Sequence, residues 1–84
     1  MELIEGNYYE NIQCENFKDK RTGRIRVRPL SGQGFSTDLV IECSKKERES
    51  HPIGTKFITE NVKVCKKDGR FYLRAKDQFI KKID

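Results

Sequence analysis

The dipeptide Asp68-Gly69 in "VKVCKKDGRFYLRA" constrains the fold more than any other stretch of the chain. Both central residues of a tight type I′ turn need positive φ, so the segments on either side must return on each other as antiparallel strands. After the turn, Phe71, Leu73 and Ala75 alternate with Arg70, Tyr72 and Arg74. That period of two describes a strand with one buried face and one basic, solvated face.

The same punctuation recurs along the chain. A first strand is expected over about residues 11–17, followed by the polar connection "KDKRTG". "RIRVRPL" then offers Ile25, Val27 and Leu30 for burial and Arg24, Arg26 and Arg28 for the other side, with Pro29 breaking the alternation at an edge, a bulge or a strand end. "SGQGFSTD" reads as an irregular loop, and "LVIEC" as a strand burying Leu39, Ile41 and Cys43. "SKKERES" can form one or two helical turns capped by Ser44, ended by His51-Pro52. "IGTKFITENVKVCKK" has mixed parity: Phe57 belongs to one face and Ile58, Val62 and Val64 to the other, so a bulge or bend is expected near "TEN". "QFIKKI" supplies a last short strand.

These runs predict an all-β chain, a small five- or six-stranded barrel, OB-like or SH3-like, with one short helical turn near residues 45–50. Residues 1–84 are expected to form a single domain, because 84 residues suffice for one modest core. With 35% hydrophobic and 37% charged residues the chain is polar, but its apolar residues cluster in short runs, as in a folded protein. No apolar stretch nears the roughly 20 residues needed to cross a bilayer, and "MELIEGNYYE" lacks the parts of a signal peptide. A soluble, cytoplasmic protein is expected. Cys14, Cys43 and Cys65 are three in number and widely spaced, a poor disulfide framework, so free thiols are the default.

The net charge of +5 is unevenly spread. Residues 1–17 carry Glu2, Glu5, Glu10 and Glu15 and no base, whereas residues 18–30 and 62–84 are strongly basic. If the two basic segments lie side by side they make one positive face. Arg24, Arg26 and Arg28 form one row; Arg70, Arg74 and Lys76, with Tyr72 among them, form another. Cations interleaved with an aromatic ring suit a single-stranded nucleic acid, the cations meeting phosphates and the ring stacking on a base. The bland alternative is a solvated sheet face.

Other chemistries find little support. "SGQGFSTDLVIEC" leads into a strand and lacks the GK[ST] ending of a phosphate loop. Catalysis would need the single histidine, His51, beside Cys43 or Cys65, and carboxylate pairs such as Asp38 and Glu42 are generic, so no catalytic residue is assigned and a non-enzymatic protein is expected. Cys14, Cys43, Cys65 and His51 make a zinc set only on paper, without a C-x-x-C pair; neither a metal nor a cofactor is expected.

"RPLSGQGF" followed by "IECSKKERESHPIGTKF" resembles small, mostly uncharacterised bacterial proteins, some carried on mobile gene cassettes such as those of integrons. The resemblance implies a β-rich bacterial accessory protein and carries over no functional residue.

The leading expectation is a binding or interaction module that associates with itself. Tyr8, Tyr9, Phe35, Phe79 and Ile83 cannot all enter so small a core, and Tyr8, Tyr9 and Phe35 are the interface candidates. The alternative is binding of single-stranded nucleic acid or another polyanion through Arg24, Arg26, Arg28, Arg70, Tyr72, Arg74 and Lys76.

Overall fold

The computed structural model describes residues 2–83, and within them the chain is mostly β. Eight strand segments are described: β1 (Tyr8–Glu10), β2 (Gln13–Lys18), β3 (Ile25–Pro29), β4 (Ile41–Glu42), β5 (Lys56–Thr59), β6 (Asn61–Lys67), β7 (Arg70–Ala75) and β8 (Ile80–Ile83). A short helix α1 (Lys45–Glu49) lies between β4 and β5, and a 3-10 turn (Lys76–Gln78) between β7 and β8. The strands make two four-stranded sheets, ordered β1-β6-β7-β4 and β3-β2-β5-β8.

The two sheets share three long chain passes, each creased in the middle. One pass bends between β1 and β2 at Asn11, whose φ is 55°; a second bends between β5 and β6 at Glu60; the third is interrupted by the 3-10 turn. The creases line up. Asn11 N donates to the Glu60 carbonyl (3.0 Å), Thr59 N donates to the Ile12 carbonyl (3.0 Å), and Thr59 stands opposite Ile80. Thr59 itself is buried, and its hydroxyl accepts from Ile12 N (3.1 Å). A crease shared by neighbouring strands folds one ribbon of sheet into two layers while leaving its backbone groups bonded.

Parity changes at the crease, as expected for "TEN", but Ile58 falls on the outer side: Phe57 and Thr59 point inward before it, Val62 and Val64 after it. In β3 the buried positions are Val27 and Pro29, so alternation continues through the proline and Leu30 is only half-buried. Pro29 needs no ladder donor there, because β3 is an edge strand. The Asp68-Gly69 turn has φ of 52° and 77°, the paired positive values that a type I′ hairpin requires.

Cys14, Val27, Ile41, Phe57, Val62, Val64, Leu73, Ala75 and Ile80 form one contiguous core with Ile12, Phe35 and Cys43. β4 pairs in parallel with β7 and packs beside β3. Among the described residues no backbone ladder joins β3 to β4, so the closed barrel expected above is not seen. Arg48 of α1 spans that seam instead, Nε donating to the Ile25 carbonyl (3.0 Å) and Nη1 to that of Cys43 (2.6 Å). Asn16 secures the other side of the helix. Its Nδ2 donates to the carbonyls of Arg48 (3.0 Å) and His51 (3.3 Å), and its Oδ1 accepts from Gly54 N (2.8 Å) and Thr55 N (2.9 Å).

Candidate nucleic-acid interface

The two arginine rows lie in different sheets. β3 lies in the sheet of β2, β5 and β8, β7 lies in the other sheet, and β4 separates them with Glu42 pointing outward. The β3 row is also largely neutralised. Register places Arg28 opposite Glu15, and Arg28 Nε donates to Glu15 Oε2 (3.0 Å) while the guanidinium covers the Phe17 ring at 4.6 Å. On the far side of β2, Lys56 Nζ bonds Glu15 Oε1 (2.6 Å), so one carboxylate serves cations from two neighbouring strands. The Lys56 hydrogen bond, assisted by Arg28, holds the Glu15 carboxyl below the usual carboxylate range. Arg26 Nε lies 3.1 Å from Asp19 Oδ2, an ion pair in which the N–H is not aimed at the oxygen. Asp19 is lowered too, first by the hydrogen bond from Arg21 N and then by the Arg26 charge. Arg24 remains exposed.

The loop before β4 is a corner. Gln33 docks its side chain on the edge of β2, Nε2 donating to the carbonyls of Gln13 (2.7 Å) and Leu30 (2.9 Å) and Oε1 accepting from Gln13 N (2.8 Å). Phe35 is buried, edge-on to Tyr9 at 5.1 Å between centroids. Tyr9 packs against the core with it. Of the three rings expected at an interface only Tyr8 is exposed, at 61%.

Tyr8 belongs with the other basic row. It stands opposite Lys63 of β6, which stands opposite Arg74 of β7, which stands opposite Glu42 of β4. This row crosses all four strands on the outer face of their sheet. One residue pair along, Cys65 faces Tyr72; beyond them Lys67 faces Arg70 at the hairpin turn. Lys63 Nζ lies 6.0 Å from the Tyr8 ring centroid, and Arg74 Cζ lies 6.0 Å from that of Tyr72, whose hydroxyl accepts from Arg74 Nη2 (3.2 Å). Each ring thus carries a cation at the outer limit of cation–π range. Tyr8, Lys63, Arg74, Lys76, Asn61 and Asp77 line an open groove of about 450 Å³ on this face. Glu42, 3.8 Å from Arg74, and Glu10 opposite Asn61 mark its acidic border.

The structure therefore brings Arg70, Tyr72, Arg74 and Lys76 together with Tyr8 and Lys63, and sets Arg24, Arg26 and Arg28 apart. Lys63 was missed in the sequence because its place beside Tyr8 depends on a pairing across more than fifty positions, without a local turn signal.

The three cysteines are free thiols. Burial pushes Cys14 up to about 12 and Cys43 up to about 11. Cys65 is partly exposed. Among the described residues no group of three or more His, Cys, Asp or Glu is gathered as a metal would need, and no helix is long and apolar enough to cross a membrane.

Compared with known proteins, this chain matches no family model, no curated protein and no solved structure.

Proposed function

We propose that this protein is a non-enzymatic module that binds single-stranded nucleic acid on the outer face of the β1-β6-β7-β4 sheet. The observation that carries this reading is the cross-strand row Tyr8, Lys63, Arg74, with Tyr72 beside it. Arg70, Tyr72 and Arg74 project from alternate positions of one strand, about 7 Å apart, in the range of successive phosphates along an extended strand. One exposed ring, Tyr8, and one half-buried ring, Tyr72, stand among cations and offer phosphate partners together with stacking surface. Lys63 opposite Arg74 and Lys67 opposite Arg70 are like charges facing each other across a ladder, an arrangement that costs stability and that an anion between them would relieve.

The strand connectivity supports reading the fold as a partly open OB-like roll of five passes. The first and fourth passes pair antiparallel, as do the fourth and fifth; the third and fifth run parallel; the helix falls between the third and fourth. Rolls of this kind bind oligonucleotides on the face of their second and third strands and on the loops after the first and fourth; of these, the third pass and the Asp68-Gly69 loop, flanked by Lys67 and Arg70, border the face proposed here. Self-association is less well supported, because two of its three expected rings, Tyr9 and Phe35, turn inward and pack on each other.

The test is fluorescence anisotropy with a labelled ten-nucleotide single strand. About four phosphate contacts predict a roughly 50-fold loss of affinity between 50 and 200 mM salt. Tyr72→Ala is expected to weaken binding about tenfold at fixed salt, and Lys63→Glu to weaken it further. Absence of binding at low salt, or equal affinity for heparin and the oligonucleotide with no effect of Tyr72→Ala, would reject the proposal. Sedimentation over a range of concentrations tests the dimer in the same samples.

A further inference from the structure

The groove beside Tyr8 and Lys63 continues past the kink in the third long pass. Asn61, Lys76 and Asp77 also line a second open cleft of about 530 Å³, walled further by Glu47, Glu60, Gln78 and Phe79. Its lining differs from the basic face: beyond Lys76 at the junction come amides, carboxylates and a ring. Phe79 is 41% exposed, although its neighbour Ile80 enters the core.

The backbone works to build this place. Asp77 and Gln78 hold successive left-handed φ values of 55° and 58°. Residues other than glycine adopt that region at a cost, and it persists only where neighbours fix it. Here the Gln78 carbonyl accepts from Ser44 N (2.9 Å) and Phe79 N donates to the Lys76 carbonyl (3.1 Å). A last pass running straight from β7 into β8 would line no cleft with Asp77, Gln78 and Phe79.

We propose that this second cleft is a nucleobase pocket, taking one base of the strand bound on the basic face and preferring cytosine to uracil. It rests on the single-strand reading above and adds base selection to it. Continuity decides the occupant, since Asn61, Lys76 and Asp77 belong to both grooves. Phosphates stay with Lys63, Arg74 and Lys76, and a base turned past Lys76 meets Phe79, on which its face stacks. Cytosine carries an exocyclic amine that donates to a carboxylate, and of the cleft's three carboxylates, Glu47, Glu60 and Asp77, the acceptor is Asp77, the one that also lines the basic groove. Uracil carries a carbonyl at the same position, which a carboxylate repels. The amides of Asn61 and Gln78 supply donors for the ring acceptors of cytosine.

The experiment compares ten-nucleotide oligo-deoxycytidine with oligo-deoxyuridine at one low salt concentration, pH 7.5. These strands share sugar and phosphates and differ at the base edge. About tenfold tighter binding of the cytidine strand is expected. Asp77→Asn should bring the two affinities within about twofold while the uridine strand still binds, and asparagine accepts the left-handed backbone as readily as aspartate, so the kink is kept. Equal affinities in the native protein would overturn the pocket and leave the basic face standing. A preference that survives Asp77→Asn would overturn it as well, and failure to bind either strand would remove both proposals.

Discussion

Truncating Asn16 to alanine tests whether the helix is held by one buried amide or by the sheet beneath it. Asn16 is almost fully buried and makes four hydrogen bonds, two to N–H groups of Gly54 and Thr55 and two to carbonyls of Arg48 and His51. A buried group left without its partner costs about 1–3 kcal/mol. Two features reduce the sum. Gly54 N also reaches the Asn16 backbone carbonyl at 3.3 Å and Thr55 N reaches that of Pro52 at 3.2 Å, so each amide keeps a weaker acceptor. The carbonyls lie on half-buried residues that water can approach. The expected loss is therefore about 2–3 kcal/mol rather than the sum of four full penalties. For a domain of this size it lowers Tm by about 10–20 °C. Urea titration followed by circular dichroism measures it, and Lys20→Ala, at an exposed loop position, is the control. Asn16→Asp should rescue little, since its second oxygen would face two carbonyl oxygens where the amide donates. Should Asn16→Ala fall within 0.5 kcal/mol of the native protein, or Asn16→Asp match it, the helix would have to be fixed by other contacts.

Four further outcomes follow from the same geometry. Arg48→Met removes the two hydrogen bonds across the β3/β4 seam and is expected to cost about 2–3 kcal/mol, with hydrogen exchange rising first at β4; unchanged exchange there would mean the seam is held by packing alone. A thiol reagent at pH 8 should label one cysteine per native chain, Cys65, and all three in denaturant. Because the folded pKa values of Cys14 and Cys43 lie above the ordinary value of 9.0, their contribution to stability is intact below that pH and is lost as pH rises toward 11 to 12, so alkaline unfolding should be delayed by Cys14→Ser only if burial of the neutral thiol is the cause. Tyr9→Ala should cost about 3 kcal/mol through the cavity left against Phe35, whereas Tyr8→Ala should cost less than 0.5 kcal/mol, a contrast read directly from melting curves.

Local signals were legible in the sequence, and long-range partners were not. Asp68-Gly69 announced its hairpin, Pro29 an edge, bulge or strand end, Ser44 its helix cap, and the uneven parity of "FITENV" the crease, because each is written within a few residues. Tyr8 and Tyr9 could have been sorted the same way: neighbours on a strand point to opposite faces, so the two rings could not both lie outside. Asn16 shares the inward parity of Cys14, which marks it as a buried polar residue in need of partners, but nothing local names Gly54 and Thr55. The parallel pairing of β4 with β7 has no turn to reveal it. Charge was legible as a composition of segments; which charges end up free is a matter of register.

Register explains why one basic row is largely neutralised and the other only at Arg74, and it yields a test that separates function from stability. The outer face of β3 is paired with β2, which carries Glu15 and follows an acidic segment, so Arg28 meets a carboxylate directly and Arg26 meets Asp19 just beyond the strand. The outer face of β7 is paired with β6, whose outward positions are Lys63, Cys65 and Lys67, so on that side Arg74 and Arg70 meet cations, and the one carboxylate opposite Arg74, Glu42 of β4, lies 3.8 Å away in an exposed pair. Like charges directly opposite each other are destabilising by a few tenths to about 1 kcal/mol, and nothing in the packing of the sheet requires them. Lys63→Glu places a carboxylate opposite Arg74 and is expected to raise stability by about 0.5 kcal/mol while weakening oligonucleotide binding at least tenfold. A local conflict kept at one face of an otherwise consistent fold is where function is expected to sit. If the variant were less stable than the native protein, the two cations would be serving the fold itself, and the argument for this face as a binding surface would lose its energetic basis.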